Sequence, residues 1–182
     1  LDENIESMAE LCKDNSKELW PMVKTHKSTQ IAKMQAEKGA AGFLVGTVLE
    51  AEKLVEAGFD NIALAYPVVD EKNILRIIEL LKKANVILAF DGKYAAEKFN
   101  SFLAEEEIEA EYLIIIDSGL HRLGVKPKKS AELAEKFQKY DNLRLKGICT
   151  HPGQVYGAAD MAEVKKTAAE EVEAVKTAVR NL

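Results

Sequence analysis

Little in this chain breaks a helix or a strand, and nothing in it suggests covalent stapling. Its 182 residues include only 4 Pro, 2 Cys and a single Trp. Cys12 and Cys149 lie far apart, each inside an apolar pattern, which argues against a disulfide framework or a cysteine metal pair. They read as small core residues of a reducing compartment. The longest apolar runs are far too short to span a bilayer. The first residues, Leu1-Asp2-Glu3-Asn4-Ile5-Glu6, are acidic and lack the basic and apolar regions of a signal peptide. A cytoplasmic location is expected. Net charge is -5 and no basic stripe stands out, so nucleic acid and anionic membranes are poor partners. No Gly-x-Gly-x-x-Gly follows the first expected strand, which leaves a dinucleotide-binding fold without its motif.

What is present is an alternation of strand-like and helix-like segments along one domain, with no linker between them. Short apolar runs at residues 22–25, 43–45, 62–66, 86–90, 113–117 and 145–149 read as strands. Tyr112 to Ile116 is apolar at every position, as a buried parallel strand must be. Helices fall between them. Leu1, Ile5, Met8, Leu11 and Cys12 form one amphipathic stripe, and Ile74, Ile77, Ile78 and Leu81 another. Ser28, Asp70 and Asp91 are expected caps, and Thr47 with Glu50 a capping box. Gly39 and Gly58 stand where helices stop. The last helix carries Met161, Val164, Ala168, Val172, Val175 and Val179 as its apolar face. This order means a parallel sheet with helices outside, either an open doubly wound sheet or a barrel.

The polar residues favour the barrel. Lys24 and His26, Tyr66, Asp91, Asp117 with His121 and Arg122, and His151 with Tyr156 all come just after expected strands. In a barrel those strand ends converge on one mouth. All three histidines of the chain are among them. Lysine forms Schiff bases with aldehydes once its amine is neutral, whereas an ordinary lysine, with a pKa near 10.4, is protonated. Burial of Lys24 and the guanidinium of Arg122 are expected to disfavour its charged form. A salt bridge between Arg122 and Asp117 is the plain structural alternative for that arginine.

Met22-Val23-Lys24-Thr25-His26-Lys27-Ser28, Ile116-Asp117-Ser118-Gly119-Leu120-His121-Arg122-Leu123-Gly124-Val125 and Gly147-Ile148-Cys149-Thr150-His151-Pro152-Gly153-Gln154-Val155-Tyr156-Gly157 carry a resemblance. In order and spacing they resemble the D-threonine aldolase and D-serine dehydratase family, relatives of alanine racemase. The resemblance implies a (β/α)8 TIM-type barrel, of which residues 1–182 hold the first six β/α units, as a pyridoxal-phosphate-binding domain incomplete at its C-terminus. It implies pyridoxal phosphate as cofactor, a D-amino acid such as D-threonine or D-serine as substrate, and a lyase reaction, aldol cleavage or dehydration. Lys24 would be the Schiff-base lysine, Arg122 would lie near the cofactor's phenolic oxygen, and His151 would stack on its pyridine ring. Tyr156 would belong to a loop near the cofactor.

Two departures qualify this. The family places an arginine and a histidine where this chain has Trp20 and Met22. Family members are also about twice as long, and the missing part bears the glycine-rich phosphate site and a second domain. A divalent metal is implied only through that domain, as is a homodimer. Amino-acid racemisation and a non-catalytic pyridoxal-phosphate-binding barrel are the alternatives. The Gly46-Thr47-Val48 segment, where such binding barrels carry Gly-Glu-Asn, argues against the second.

Overall fold

The structure is a computed structural model and describes residues 1–182. Five strands, β1 (Phe43–Val45), β2 (Asn61–Leu64), β3 (Asn85–Phe90), β4 (Ala110–Ile116) and β5 (Leu143–Thr150), pair in chain order and all in parallel. Seven α-helices accompany them: α1 (Asp2–Asp14), α2 (Thr29–Glu37), α3 (Val48–Glu56), α4 (Glu71–Leu81), α5 (Lys93–Glu105), α6 (Ser130–Phe137) and α7 (Met161–Asn181). This is the α/β layout expected from the alternation. Two compact units are distinguished, residues 1–65 with 70–87, and residues 66–69 with 88–182.

In the first unit, β1 and β2 are buried, and Val45, Ile62, Ile74 and Ile77 are fully enclosed. α3 packs beside α4, where Arg76 grips Glu52 through two hydrogen bonds of 2.7 and 2.6 Å. The expected caps form. Ser28 accepts from the Ile31 amide, Thr47 from that of Glu50 and Asp70 from that of Asn73. Gly39 and Gly58 follow α2 and α3 with φ of +97° and +90°, a backbone that costs glycine nothing.

One expectation fails here. Residues 22–25 are not a strand. Leu19 and Met22 form single parallel bridges to Ala40 and Leu44, and Val23–Thr25 then curls into a 3-10 turn. Pro21 has no amide proton to give a ladder. The Val23 carbonyl is taken by the amides of His26 and Lys27, at 3.2 and 2.8 Å, and so cannot serve a neighbouring strand.

The second unit is built on an aromatic cluster. Phe90 lies 5.6 Å from both Phe99 and Tyr112, and Phe137 lies 5.5 Å from Tyr112 (ring centroids). β4 and β5 pair along their length, with one extra residue, Lys146, bulged out opposite Tyr112 and Leu113.

Two further expectations are corrected in this unit. α5 is capped by Gly92, not by Asp91, whose Oδ2 accepts instead from the Gly124 amide at 3.1 Å. α7 forms with Asp160 as its cap, but its inward residues are Thr167 and Ala178. Met161, Val172 and Val179 face solvent. The helix is held from its other side, where the buried Ser130 hydroxyl donates to the Ala178 carbonyl at 2.9 Å. Cys12 and Cys149 are free and half-buried rather than core residues, and burial pushes the Cys149 thiol up to about 11. No helix is long and apolar enough to cross a membrane.

Candidate active site

In the first unit the chain runs along β1, turns at Val23–Thr25 and enters α2 behind the Ser28 cap. Lys24 stands on that turn. Its side chain is exposed, against the burial expected of it, and it makes no hydrogen bond or ion pair. The stem of Lys24 crosses Gly46, the residue after β1. A Cβ on Gly46 would lie 3.3 Å from both Cβ and Cδ of Lys24, so a larger residue there would push the lysine aside. Lys27 completes the turn with φ +50°, a left-handed backbone uncommon for a residue with a side chain. His26 is turned inward. Its Nδ1 accepts from the Ser28 amide at 3.1 Å, and its buried Nε2 has no partner. This histidine shapes the turn.

Glu50 is the group whose use was missed in the sequence. A capping box would send its carboxylate back to the Thr47 amide. Instead Oε2 accepts from the Gly46 amide at 2.8 Å, and Oε1 lies 3.7 Å from Lys27 Nζ. It is the one buried carboxylate of the chain. A cavity of about 150 Å³ beside it is lined by Val23, Lys27, Ser28, Thr47, Glu50 and Lys53, among others.

In the second unit, Arg122 follows β4, and His151 and Tyr156 follow β5. The β4 loop is organised by Asp117. Its Oδ1 accepts from the amides of Gly119 and His121, both at 3.0 Å, and its Oδ2 lies 2.8 Å from Nδ1 of His121. Burial alone would raise the Asp117 pKa, but the two amides and the imidazole together hold it below the usual carboxylate value. His121 therefore takes the place beside Asp117 that the plain structural alternative gave to Arg122. Arg122 itself is exposed and makes no hydrogen bond or ion pair. The loop closes where Val125 pairs with Ile115 and Asp117. Only glycine fits at position 124, because its φ is +99° and a Cβ would meet the Asp117 nitrogen at 2.7 Å.

The loops after β4 and β5 are tied to each other. Thr150 Oγ1 lies 2.7 Å from Ser118 Oγ and 2.9 Å from the Ile116 carbonyl, and Gln154 donates to the Ser118 carbonyl at 3.1 Å. The His151 and Tyr156 rings stand 6.0 Å apart, tilted by 58°. Tyr156 is almost wholly exposed. No cluster of three or more His, Cys, Asp or Glu side chains is arranged to hold a metal ion.

The family pattern described as "Alanine racemase, N-terminal domain" matches residues 1–182. Over 128 residues the chain is 32% identical to an alanine racemase of Treponema denticola, covering 69% of this chain and 32% of that protein. Over 159 residues it is 30% identical to the D-threo-3-hydroxyaspartate dehydratase of a Delftia species, covering 86% of this chain and 42% of that one. Among solved structures, D-threonine aldolase from Filomicrobium marinum superposes with a TM-score of 0.95 at 25% identity, over 100% of this chain and 49% of that one. The Delftia dehydratase gives 0.91 at 27% identity, over 100% and 48%. The chain thus spans less than half the length of these relatives.

Proposed function

From the alanine racemase N-terminal-domain family, to which this chain belongs over all 182 residues, we propose that it is the pyridoxal-phosphate-binding part of a lyase acting on D-amino acids. The carrying observation is Lys24, an unpaired amine presented on a turn over the bare backbone of Gly46. The residues fit the cofactor. Lys24 supplies an amine without a competing partner, Arg122 a guanidinium without one, and His151 a flat ring on a tied loop.

When bound, pyridoxal phosphate supplies an electron sink for the charge left on the substrate's α-carbon. Lys24 Nζ would hold the cofactor and would take or return the proton at that α-carbon. Arg122 would donate to the cofactor's phenolic oxygen, a charge-assisted bond that a fork-shaped guanidinium makes well. His151 would cover the pyridine face and keep water from it. Tyr156 borders the same ring of His151 and completes that loop.

The lyase reading is supported by the likeness to the aldolase and dehydratase structures, each above 0.9 in TM-score across the whole chain. Racemisation of an amino acid is the second reading, supported by the 32% identity to an alanine racemase. Products separate the three reactions. Aldol cleavage of D-threonine frees an aldehyde, dehydration of D-serine frees a 2-oxo acid and ammonia, and racemisation frees neither. The purified native protein, supplied with pyridoxal phosphate, should yield an aldehyde or a 2-oxo acid from a panel of D-β-hydroxy amino acids. Appearance of the L-enantiomer alone would establish the second reading, and no turnover of any would sink both.

A further inference from the structure

The amide of Gly46 has the wrong partner for its place in the sheet. The segment before Lys24 runs parallel to β1, with the Leu44 amide donating to the Pro21 carbonyl at 2.9 Å and Met22 bridged to Leu44. A parallel ladder continued by two residues would send the Gly46 amide to the Val23 carbonyl. That carbonyl is occupied by the amides of His26 and Lys27, the bonds that make the turn bearing Lys24. The Gly46 amide goes instead to Glu50 Oε2, at 2.8 Å. Glu50 thus supplies the acceptor that the turn withdraws.

The geometry points to Glu50 as the positioning residue of Lys24. Its carboxylate holds the end of β1 where the lysine stem rests. An ideal Cβ on Gly46 would be 3.5 Å from Glu50 Oε2 and 3.3 Å from Lys24 Cβ and Cδ, so the three groups share one contact. The other carboxylate oxygen faces Lys27, at the far end of the same turn. The Gly46 amide is half-buried, and an amide shielded from water and left without an acceptor is costly, so removing this oxygen should loosen the strand end and let the turn drift. The lysine would keep its chemistry and lose its place. The role of Lys27 is secondary, since its ammonium is 3.7 Å away and mostly in water.

This inference rests on the reading of Lys24 as the cofactor-holding amine, and its test separates the two. Hydrogen exchange at the Gly46 amide and the rate of borohydride-fixed labelling of Lys24 by pyridoxal phosphate are measured on the 182-residue chain. Label on Lys72, an exposed lysine in α4, is the internal reference. Glu50→Ala should speed Gly46 exchange and slow Lys24 labelling relative to Lys72, each on the order of tenfold. Glu50→Gln keeps an acceptor oxygen and should restore both to within about threefold of wild type. If Glu50→Ala does not fold, Glu50→Asp, which keeps the charge but shortens the reach, should show the same two changes. Unchanged Gly46 exchange in a folded Glu50→Ala or Glu50→Asp chain would overturn the inference. So would fast Gly46 exchange with Lys24 labelled as in wild type, or Glu50→Gln failing as badly as Glu50→Ala. Label missing from Lys24 in the wild-type chain would instead sink the reading of that lysine, while Gly46 exchange would still decide whether Glu50 holds the strand end.

Discussion

Asp117 holds His121 twice, through its backbone amide at 3.0 Å and through its imidazole Nδ1 at 2.8 Å. The residue so held has φ +57°, and Arg122 is the next residue in the chain. A left-handed residue with a side chain persists only where its surroundings fix it. Here one carboxylate does so, with the Gly119 amide as a third bond.

The titration of Asp117 carries the first prediction. Its pKa is lower in the folded chain than in the unfolded one. Its contribution is therefore complete above the unfolded value, near 4, and is lost as pH falls through the lower folded value. Stability of wild type should drop across that acid range, and Asp117→Asn should drop less steeply. Asp117→Ala, which removes all three bonds, should cost about 1–3 kcal/mol at neutral pH by urea unfolding. Parallel pH profiles for wild type and Asp117→Asn would contradict the clasp.

The second prediction concerns Cys149. Burial holds its thiol protonated, with a pKa of about 11, and the thiolate is the form that reacts. Iodoacetamide should modify Cys149 slowly in the folded chain at neutral pH and much faster in urea. Peptide mapping after timed quenching reads this directly. Rapid alkylation of Cys149 in the folded chain would show that its side chain is open.

The third tests which way α7 faces. Val172 is exposed and Ala178 is fully buried. Val172→Asp should change the stability of the 182-residue chain by no more than about 0.5 kcal/mol. Ala178→Asp places a charge at a fully buried position and should prevent folding or cost several kcal/mol, on the order of 3–5. The opposite ranking by urea unfolding would restore the apolar stripe as the inner face.

Much of this was legible in the sequence. Periodicity located β1 to β5, and Ser28, Thr47 and Asp70 capped the helices they were expected to cap, because each of these signals acts within four residues of chain. Residues 22–25 failed for a local reason: they have the composition of a strand, yet Pro21 and the capture of the Val23 carbonyl by the His26 and Lys27 amides turn them aside. The other failures in the fold depended on partners farther away. The apolar stripe of α7 is regular, but Ser130, 48 residues from Ala178, helps decide which face is inside. Asp91 looks like a cap until the Gly124 amide, 33 residues on, takes its oxygen. Among the site residues the motifs gave positions, not partners. Each of the two key bonds spans only four residues, yet residue type does not choose between the neighbours on offer: Asp117 takes His121 rather than Arg122, and Glu50 reaches past Thr47 to Gly46.

The central claim is that Lys24 is the amine that holds the cofactor. Incubation with pyridoxal phosphate, reduction with borohydride and peptide mass spectrometry test it in one measurement, with Lys24→Ala and Lys27→Ala as companions. Label should concentrate on the peptide containing Lys24, vanish from it in Lys24→Ala and persist in Lys27→Ala, whose ammonium is exposed and only loosely paired with Glu50. Label on Lys27, or label spread over exposed lysines with no preference for Lys24, would contradict the assignment.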